Sequence, residues 1–263
     1  MSGWNAWPVF HSAFYAANSN NNATVAEAEN TWGDQVLHGD FTASAPWFDL
    51  HYYYNTHPDL QKRFANSERP YVEALNHFLV YGINEGRKAS PLFDIKKYVA
   101  NYQDLQRAFG TDYKKAWIHY NQYGFREERF GGLFNMQCKA FPGRWMCFTN
   151  NRLVNIPGNQ GRNGLWRILW VAGTGYFKIF NANNDRNMAL TIDARRVPVI
   201  GVNTGNDLKT QWQIVTPLDD VNHVLIVNRG NANMYLGFDG TNIVVRENWY
   251  DNPSQFLWQI NFN

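Results

Sequence analysis

The side chains best placed to do chemistry are two aspartates that close matching phrases, Met188-Ala189-Leu190-Thr191-Ile192-Asp193 and Met234-Tyr235-Leu236-Gly237-Phe238-Asp239. Each follows an apolar run and opens a stretch rich in turn residues. A carboxylate there can accept paired hydrogen bonds from adjacent hydroxyls of a ligand. Such a site also needs an apolar face for the body of the ligand and an amide donor. Downstream of Asp239 the chain offers Trp249 and Tyr250 with Asn252. Downstream of Asp193 it offers Asn206 at the matching position but no aromatic, only Val199 and Ile200. A third, worn phrase, Trp145-Met146-Cys147-Phe148-Thr149-Asn150, carries Asn in place of Asp, and no site is expected there. The competing role for both aspartates is structural, capping the turn that follows a strand.

Other chemistry finds no support. The sequence has no Gly-x-Ser-x-Gly, His-Glu-x-x-His or Walker loop, and Gly173-Thr174-Gly175 lacks the rest of a dinucleotide fingerprint. His77 and His119 fall on an apolar helical stripe, where a hydrogen-bonded core-edge imidazole is the expectation. Glu127-Glu128 and Asp219-Asp220 are adjacent pairs that cannot face each other as general acid and base. No catalytic residue, cofactor or metal site is expected, and the chain reads as a non-enzyme. The only cysteines, Cys138 and Cys147, lack metal-ligand spacing. If Pro142-Gly143 makes a two-residue turn, the two face each other within disulfide reach. The alternative is a pair of buried thiols.

The elements that must position these residues show a period. Trp166, Trp212 and Trp258 are evenly spaced by 46 residues, and each opens a Trp-polar-Ile phrase. Alternation of this kind marks a strand with one buried face. A fixed period of this length marks one supersecondary unit repeated three times around a shared core. The threefold Trp-x-Ile and the Leu-x-Ile-Asp phrase resemble the β-trefoil, specifically the ricin B-type lectin family, over residues 131–263. The resemblance implies a barrel-core Trp, a sugar-binding Asp and a Gln two residues before the Trp. Here those last positions are Gly164, Thr210 and Phe256, so the Gln-x-Trp motif is missing.

A second repeat fills residues 1–130, with units at about 10–40, 48–87 and 93–129. Phe48-Asp49-Leu50-His51-Tyr52-Tyr53 aligns with Phe93-Asp94-Ile95-Lys96-Lys97-Tyr98. Ala74, His77, Phe78, Tyr81 and Gly82 align with Ala116, His119, Tyr120, Tyr123 and Gly124. Asp49 and Asp94 are predicted N-caps, with Phe48/Tyr53 and Phe93/Tyr98 as hydrophobic staples. Thr56…Asp59 and Asn101…Asp104 have capping-box spacing, and Gly82 and Gly124 are predicted helix stops. A worn first copy places Phe10 and Tyr15 in the staple and His11 at the cap. The phrase Phe-Asp-x-x-Tyr-Tyr…His-Phe-x-x-Tyr-Gly-x-x-Glu-Gly-Arg resembles tandem repeats of about 40 residues in secreted or surface proteins. That resemblance points to an extracellular or secretory compartment, although the sequence shows no signal peptide.

Composition narrows the partners. The net charge is +2, with no concentrated basic stripe for nucleic acid and no apolar segment for membrane insertion. Charged residues are 17% against a usual ~25%, while aromatics reach 16%. A surface poor in charge and rich in aromatic and amide groups suits glycans or glycoproteins. It equally suits self-association. The expected architecture is therefore an N-terminal all-α helical repeat domain followed by a C-terminal β-trefoil. The expected function is that of a lectin with the helices as spacer or docking module. The rival is a structural matrix, coat or granule protein that uses the trefoil for protein packing.

Overall fold

The computed structural model describes residues 8–19, 24–39, 43–158, 161–184, 187–205, 207–231 and 233–263. The chain divides into two compact units, Met1–Gly131 with Ala172–Gly175, and Gly132–Val171 with Tyr176–Asn263.

The first unit is helical, and its construction follows the caps. Helices α1 (Ser12–Asn18), α2 (Leu50–Asn55) and α3 (Ile95–Asn101) begin in the same way. His11 accepts the Phe14 N–H, Asp49 accepts that of Tyr52, and Asp94 accepts those of Lys96 and Lys97. The staple rings meet in all three, Phe10–Tyr15 at 5.6 Å, Phe48–Tyr53 at 6.4 Å and Phe93–Tyr98 at 5.9 Å between centroids. Each capping residue also donates its own N–H forward, His11 to Ser44, Asp49 to Ala89 and Asp94 to Gly131. One carbonyl gathers the centre. The oxygen of Pro8 accepts from the indoles of Trp47 (3.2 Å) and Trp117 (3.3 Å) and from the Asn121 amide (2.5 Å).

Two local expectations are corrected. Gly82 does not stop its helix, which continues through Ile83–Glu85, and Gly124 is the last residue of its helix without the positive φ expected of a stop. They close π-turns, Phe78–Gly82 and Tyr120–Gly124, with ordinary helical backbone at Gly82. They are glycine because a Cβ would collide with the hydroxyls of Tyr53 and Tyr98. Those hydroxyls bond His77 Nδ1 at 2.9 Å and His119 Nδ1 at 3.0 Å. The first of the two helical runs ends at left-handed Gly86, and Glu128 takes the same conformation beyond the end of the second. The capping boxes are absent too: His57 and Tyr102 are the caps, without side-chain bonds. Asp is too short to reach back as Glu does. Asp59 and Asp104 instead bind Arg87 and Arg129, at 2.7 and 2.8 Å.

The second unit has twelve strands among its described residues. They are β1 Phe134–Cys138, β2 Arg144–Thr149, β3 Arg152–Pro157, β4 Trp166–Trp170, β5 Phe177–Asn181 and β6 Met188–Ile192, then β7 Pro198–Val202, β8 Trp212–Val215, β9 Leu225–Asn228, β10 Tyr235–Phe238, β11 Ile243–Arg246 and β12 Trp258–Phe262. Six of them, β12-β1-β4-β5-β8-β9, pair in a ring that closes through the Val224–Trp258 bridge. The other six form hairpins β2–β3, β6–β7 and β10–β11, and β3, β7 and β11 all contact one another. A six-stranded barrel capped by three hairpins with threefold internal symmetry is a β-trefoil.

The three period-46 tryptophans occupy equivalent places. Each starts the fourth strand of its unit and is fully buried. Each indole N–H donates to the second strand of the same unit: Trp166 to Met146 (2.8 Å), Trp212 to Leu190 (2.9 Å), Trp258 to Leu236 (2.8 Å).

Cys138 and Cys147 are both buried, free thiols, so the disulfide expected as one alternative is not formed. The hairpin turn is longer than Pro142-Gly143 alone, and Gln137 pairs with Trp145, which removes Cys138 from opposite Cys147. Cys138 has other work. It stands where the next two units have Asn181 and Asn228, and all three donate into the 3-10 turn before a core Trp. Asn181 reaches the Asn163 and Leu165 carbonyls, Asn228 that of Lys209, and the Cys138 thiol those of Ser254 and Gln255. Among the described residues no helix is long and apolar enough to cross a membrane.

Replacing any one of the three tryptophans by Phe strands a buried carbonyl and opens space. Each substitution should cost the sheet unit about 2–4 kcal/mol in urea unfolding, and the three costs should be similar. Markedly unequal losses would contradict equivalent roles.

Burial is the leading cause that holds His11, His51, His57, His77 and His119 below the ordinary imidazole range. The folded helical unit therefore binds fewer protons than its unfolded chain. The stability these groups confer is whole above about pH 6.5 and is lost as pH falls below it. Buried Asp49, pushed up to about 6 by desolvation, works in the opposite sense, because its penalty is relieved at lower pH. Histidines prevail by number, so acidification from about pH 7 to about pH 5 should lower the melting temperature of the helical unit. NMR thermal melts resolved by unit provide the check, and an unchanged or raised value refutes it.

Candidate functional site

Hairpin β10–β11 sets out the site predicted in the third trefoil unit. Tyr235 pairs with Arg246 at its open end and Phe238 with Ile243 at its tip. Asp239 opens the turn. Its Oδ1 accepts the N–H groups of Thr241 (2.9 Å) and Asn242 (2.8 Å), and Gly240 beside it takes a positive φ. Its Oδ2 faces the Arg246 guanidinium at 3.8 Å.

Asp193 plays the same part after β6. Its Oδ1 accepts from Arg195 N (2.8 Å) and Val197 N (2.9 Å), while Oδ2 takes the Arg195 guanidinium at 3.3 Å. These bonds, the one from Val197 foremost, hold its carboxyl below the usual range despite some opposing desolvation. The first unit needs no such carboxylate. Asn150 and Asn151 both have positive φ, 49° and 59°, and make a tight two-residue turn. The structural role weighed against binding is thus present at both aspartates.

Trp249 and Tyr250 lie beyond the other end of the hairpin. Trp249, Tyr235 and Val244 pack on a buried cluster of Leu225, Phe256 and Leu257. Phe256 fills the place where the family motif has Gln, and it explains Gly237, at which a Cβ would strike the Phe256 ring. Tyr250 lies tilted against Trp249, with centroids 4.5 Å apart and planes 33° apart, and it is 70% exposed. The Trp249 indole N–H has no acceptor among the described residues. Around the pair, Asn248 donates to the Asp251 carboxylate at 2.9 Å, and exposed Asn252 precedes the 3-10 turn Pro253–Gln255.

The structure therefore brings Trp249, Tyr250 and Tyr235 together but does not bring Asp239 to them. Tyr235 and Asp239 are four strand residues apart, roughly 13 Å at about 3.3 Å per residue. Asn206 lies outside the described residues. The Tyr235 contact and the Asn248–Asp251 bond were not readable from the sequence: the repeated phrase contains Tyr235 without showing what its ring packs on, and Asn248 and Asp251 lie outside the phrase.

No family model matches this chain, and no curated protein matches it. Solved structures similar to its C-terminal half include the BEL β-trefoil, at 14% identity and TM-score 0.45, covering 51% of this chain and 94% of that one. A designed threefold-symmetric protein, ThreeFoil, is similar at 17% identity and TM-score 0.43, covering 50% and 99%. An endo-β-galactosidase from Clostridium perfringens that releases GlcNAcα1-4Gal is similar at 16% identity and TM-score 0.43. There the match spans 50% of this chain and 32% of the enzyme.

Since Asp193 serves its turn through accepted bonds, Asp193→Asn should keep most of the melting temperature that Asp193→Ala loses. Equal losses in calorimetry would assign the effect to charge instead.

Proposed function

We propose that the sheet unit is a non-enzymatic carbohydrate-binding module whose binding face is the third trefoil unit, with the helical unit as spacer or docking module. The observation that carries this reading is the exposed Tyr250 ring resting on Trp249. Two adjoining tilted rings, one bare to solvent, offer a π-face to the C–H face of a sugar. The exposed Asn248 and Asn252 amides and the Asp251 carboxylate supply polar groups at its edge.

A one-sided platform buries little of its ligand, so monosaccharide binding should be weak, with Kd on the order of 1 mM. Asp239 lies too far away to share one ring with the platform. It takes part through Oδ2 only when the ligand is an oligosaccharide long enough to span the hairpin. Downstream of Asp193 the sequence has Val199 and Ile200 and no counterpart of the Trp249–Tyr250 pair, so neither Asp193 nor Asn206 enters the proposed face.

A glycan array followed by NMR titration of the hits tests this. Tyr250→Ala, which removes an exposed ring, should abolish binding without changing the fold. Asp239→Ala should weaken oligosaccharides about 10-fold while sparing monosaccharides. Absence of any glycan signal, together with concentration-dependent assembly that Tyr250→Ala disrupts, would favour the structural, protein-packing role instead.

A further inference from the structure

The three hairpins also line an open cavity of about 660 Å³, and neither Trp249 nor Tyr250 belongs to its lining. Its wall repeats threefold. Leu153, Val199 and Val244, one from each hairpin, hold equivalent register positions opposite Phe148, Thr191 and Gly237 and are half-buried. They form an apolar collar around the pseudo-threefold axis.

Charge at the cavity does not repeat. Arg152, Arg195, Arg196 and Arg246 line it, and no Asp or Glu does. The fold has no need of arginine at these places, since the equivalents of Arg152 are Pro198 and Ile243 and those of Arg246 are Asn155 and Gly201. Three carboxylates approach from outside the lining: Asp193 to Arg195 at 3.3 Å, Glu247 to Arg196 at 3.2 Å and Asp239 to Arg246 at 3.8 Å. The arginine side chains of these pairs are 86%, 66% and 59% exposed, so each contact is worth little and yields readily to a competing anion. Arg152 has no acidic partner among the described residues. A concave, apolar-walled opening lined by one sign of charge focuses its field on whatever enters. Guanidinium groups fit oxyanions two bonds at a time.

We propose that this axial cavity binds a small ligand presenting an oxyanion, a sulfate ester or a carboxylate, on a sugar-sized body whose apolar face lies against the Leu153–Val199–Val244 collar. The cavity volume lies in the range of small-molecule sites. The site uses neither Trp249 nor Tyr250, sharing with the platform only the Leu225–Phe256–Leu257 cluster on which Val244 also packs, and it stands whether or not that platform binds glycans.

Galactose 6-sulfate, galacturonic acid, galactose and inorganic sulfate, titrated by calorimetry into the full chain, distinguish the possibilities. At least one acidic sugar should bind on the order of 10-fold more tightly than galactose, with an advantage that falls as salt is raised. Which acid is favoured separates sulfate from carboxylate recognition. The combined Arg152→Gln and Arg196→Gln variant should erase the advantage, whereas Tyr250→Ala should leave it. In the unmodified protein, the methyl NMR signals of Leu153, Val199 and Val244 should shift on binding, a readout that needs no variant to fold. The proposal is overturned if galactose binds as well as both acids, if the advantage survives loss of the two arginines, or if Tyr250→Ala removes it. Inorganic sulfate matching the sulfated sugar, with unmoved collar methyls, would overturn it as well.

Discussion

A single hydrogen bond, made three times, holds the sheet unit in its form. Each core indole sits at the start of a barrel strand and gives its N–H to a carbonyl on a hairpin strand 20 or 22 residues earlier in the chain. The barrel and its cap are separate layers of pairing, and these bonds tie one to the other inside every unit. An unpaired carbonyl at that depth would cost ~1–3 kcal/mol, and the ring itself buries ~150–250 Å². Geometry and burial thus demand the same residue, and each unit has its tryptophan although Gly164, Thr210 and Phe256 stand two residues before it. Both proposed sites are built on hairpins that these bonds fix in place.

The helical unit meets the same problem, short elements with few internal bonds, by a different route. Helices of six to eight residues are marginal by themselves. Here a cap, a staple and a tyrosine–histidine bond recur from unit to unit, and the Pro8 carbonyl collects donors from Trp47, Trp117 and Asn121. Polar contacts set among aromatic rings give these short helices fixed neighbours.

Much of this was legible in the sequence because it rests on spacing. Equal intervals between Trp166, Trp212 and Trp258 carried the trefoil, and the Phe-Asp-x-x-x-Tyr phrases carried caps and staples. What was not legible depends on contacts distant in sequence. Gly82 and Gly124 look like helix stops until the tyrosine hydroxyls 29 and 26 residues upstream are in place. Cys138 and Cys147 look paired under a two-residue turn, yet Cys138 answers to carbonyls more than a hundred residues away. Asp239 and Trp249 look like partners because they are near in sequence, and the intervening strand sets them at opposite ends of a hairpin. Sequence proximity and repeat position identified residue types that matter. They did not reveal which of those residues share a surface.

Cys138 lies on β1, paired with Trp258 of β12, at the seam where the first and last strands of the barrel join. Enclosure pushes its thiol up to about 11, so at neutral pH it stays protonated and shielded from electrophiles. Alkylation must then wait for the seam to part. The chain carries a native chemical clock for barrel opening, readable by mass spectrometry with an alkylating reagent and no engineered label.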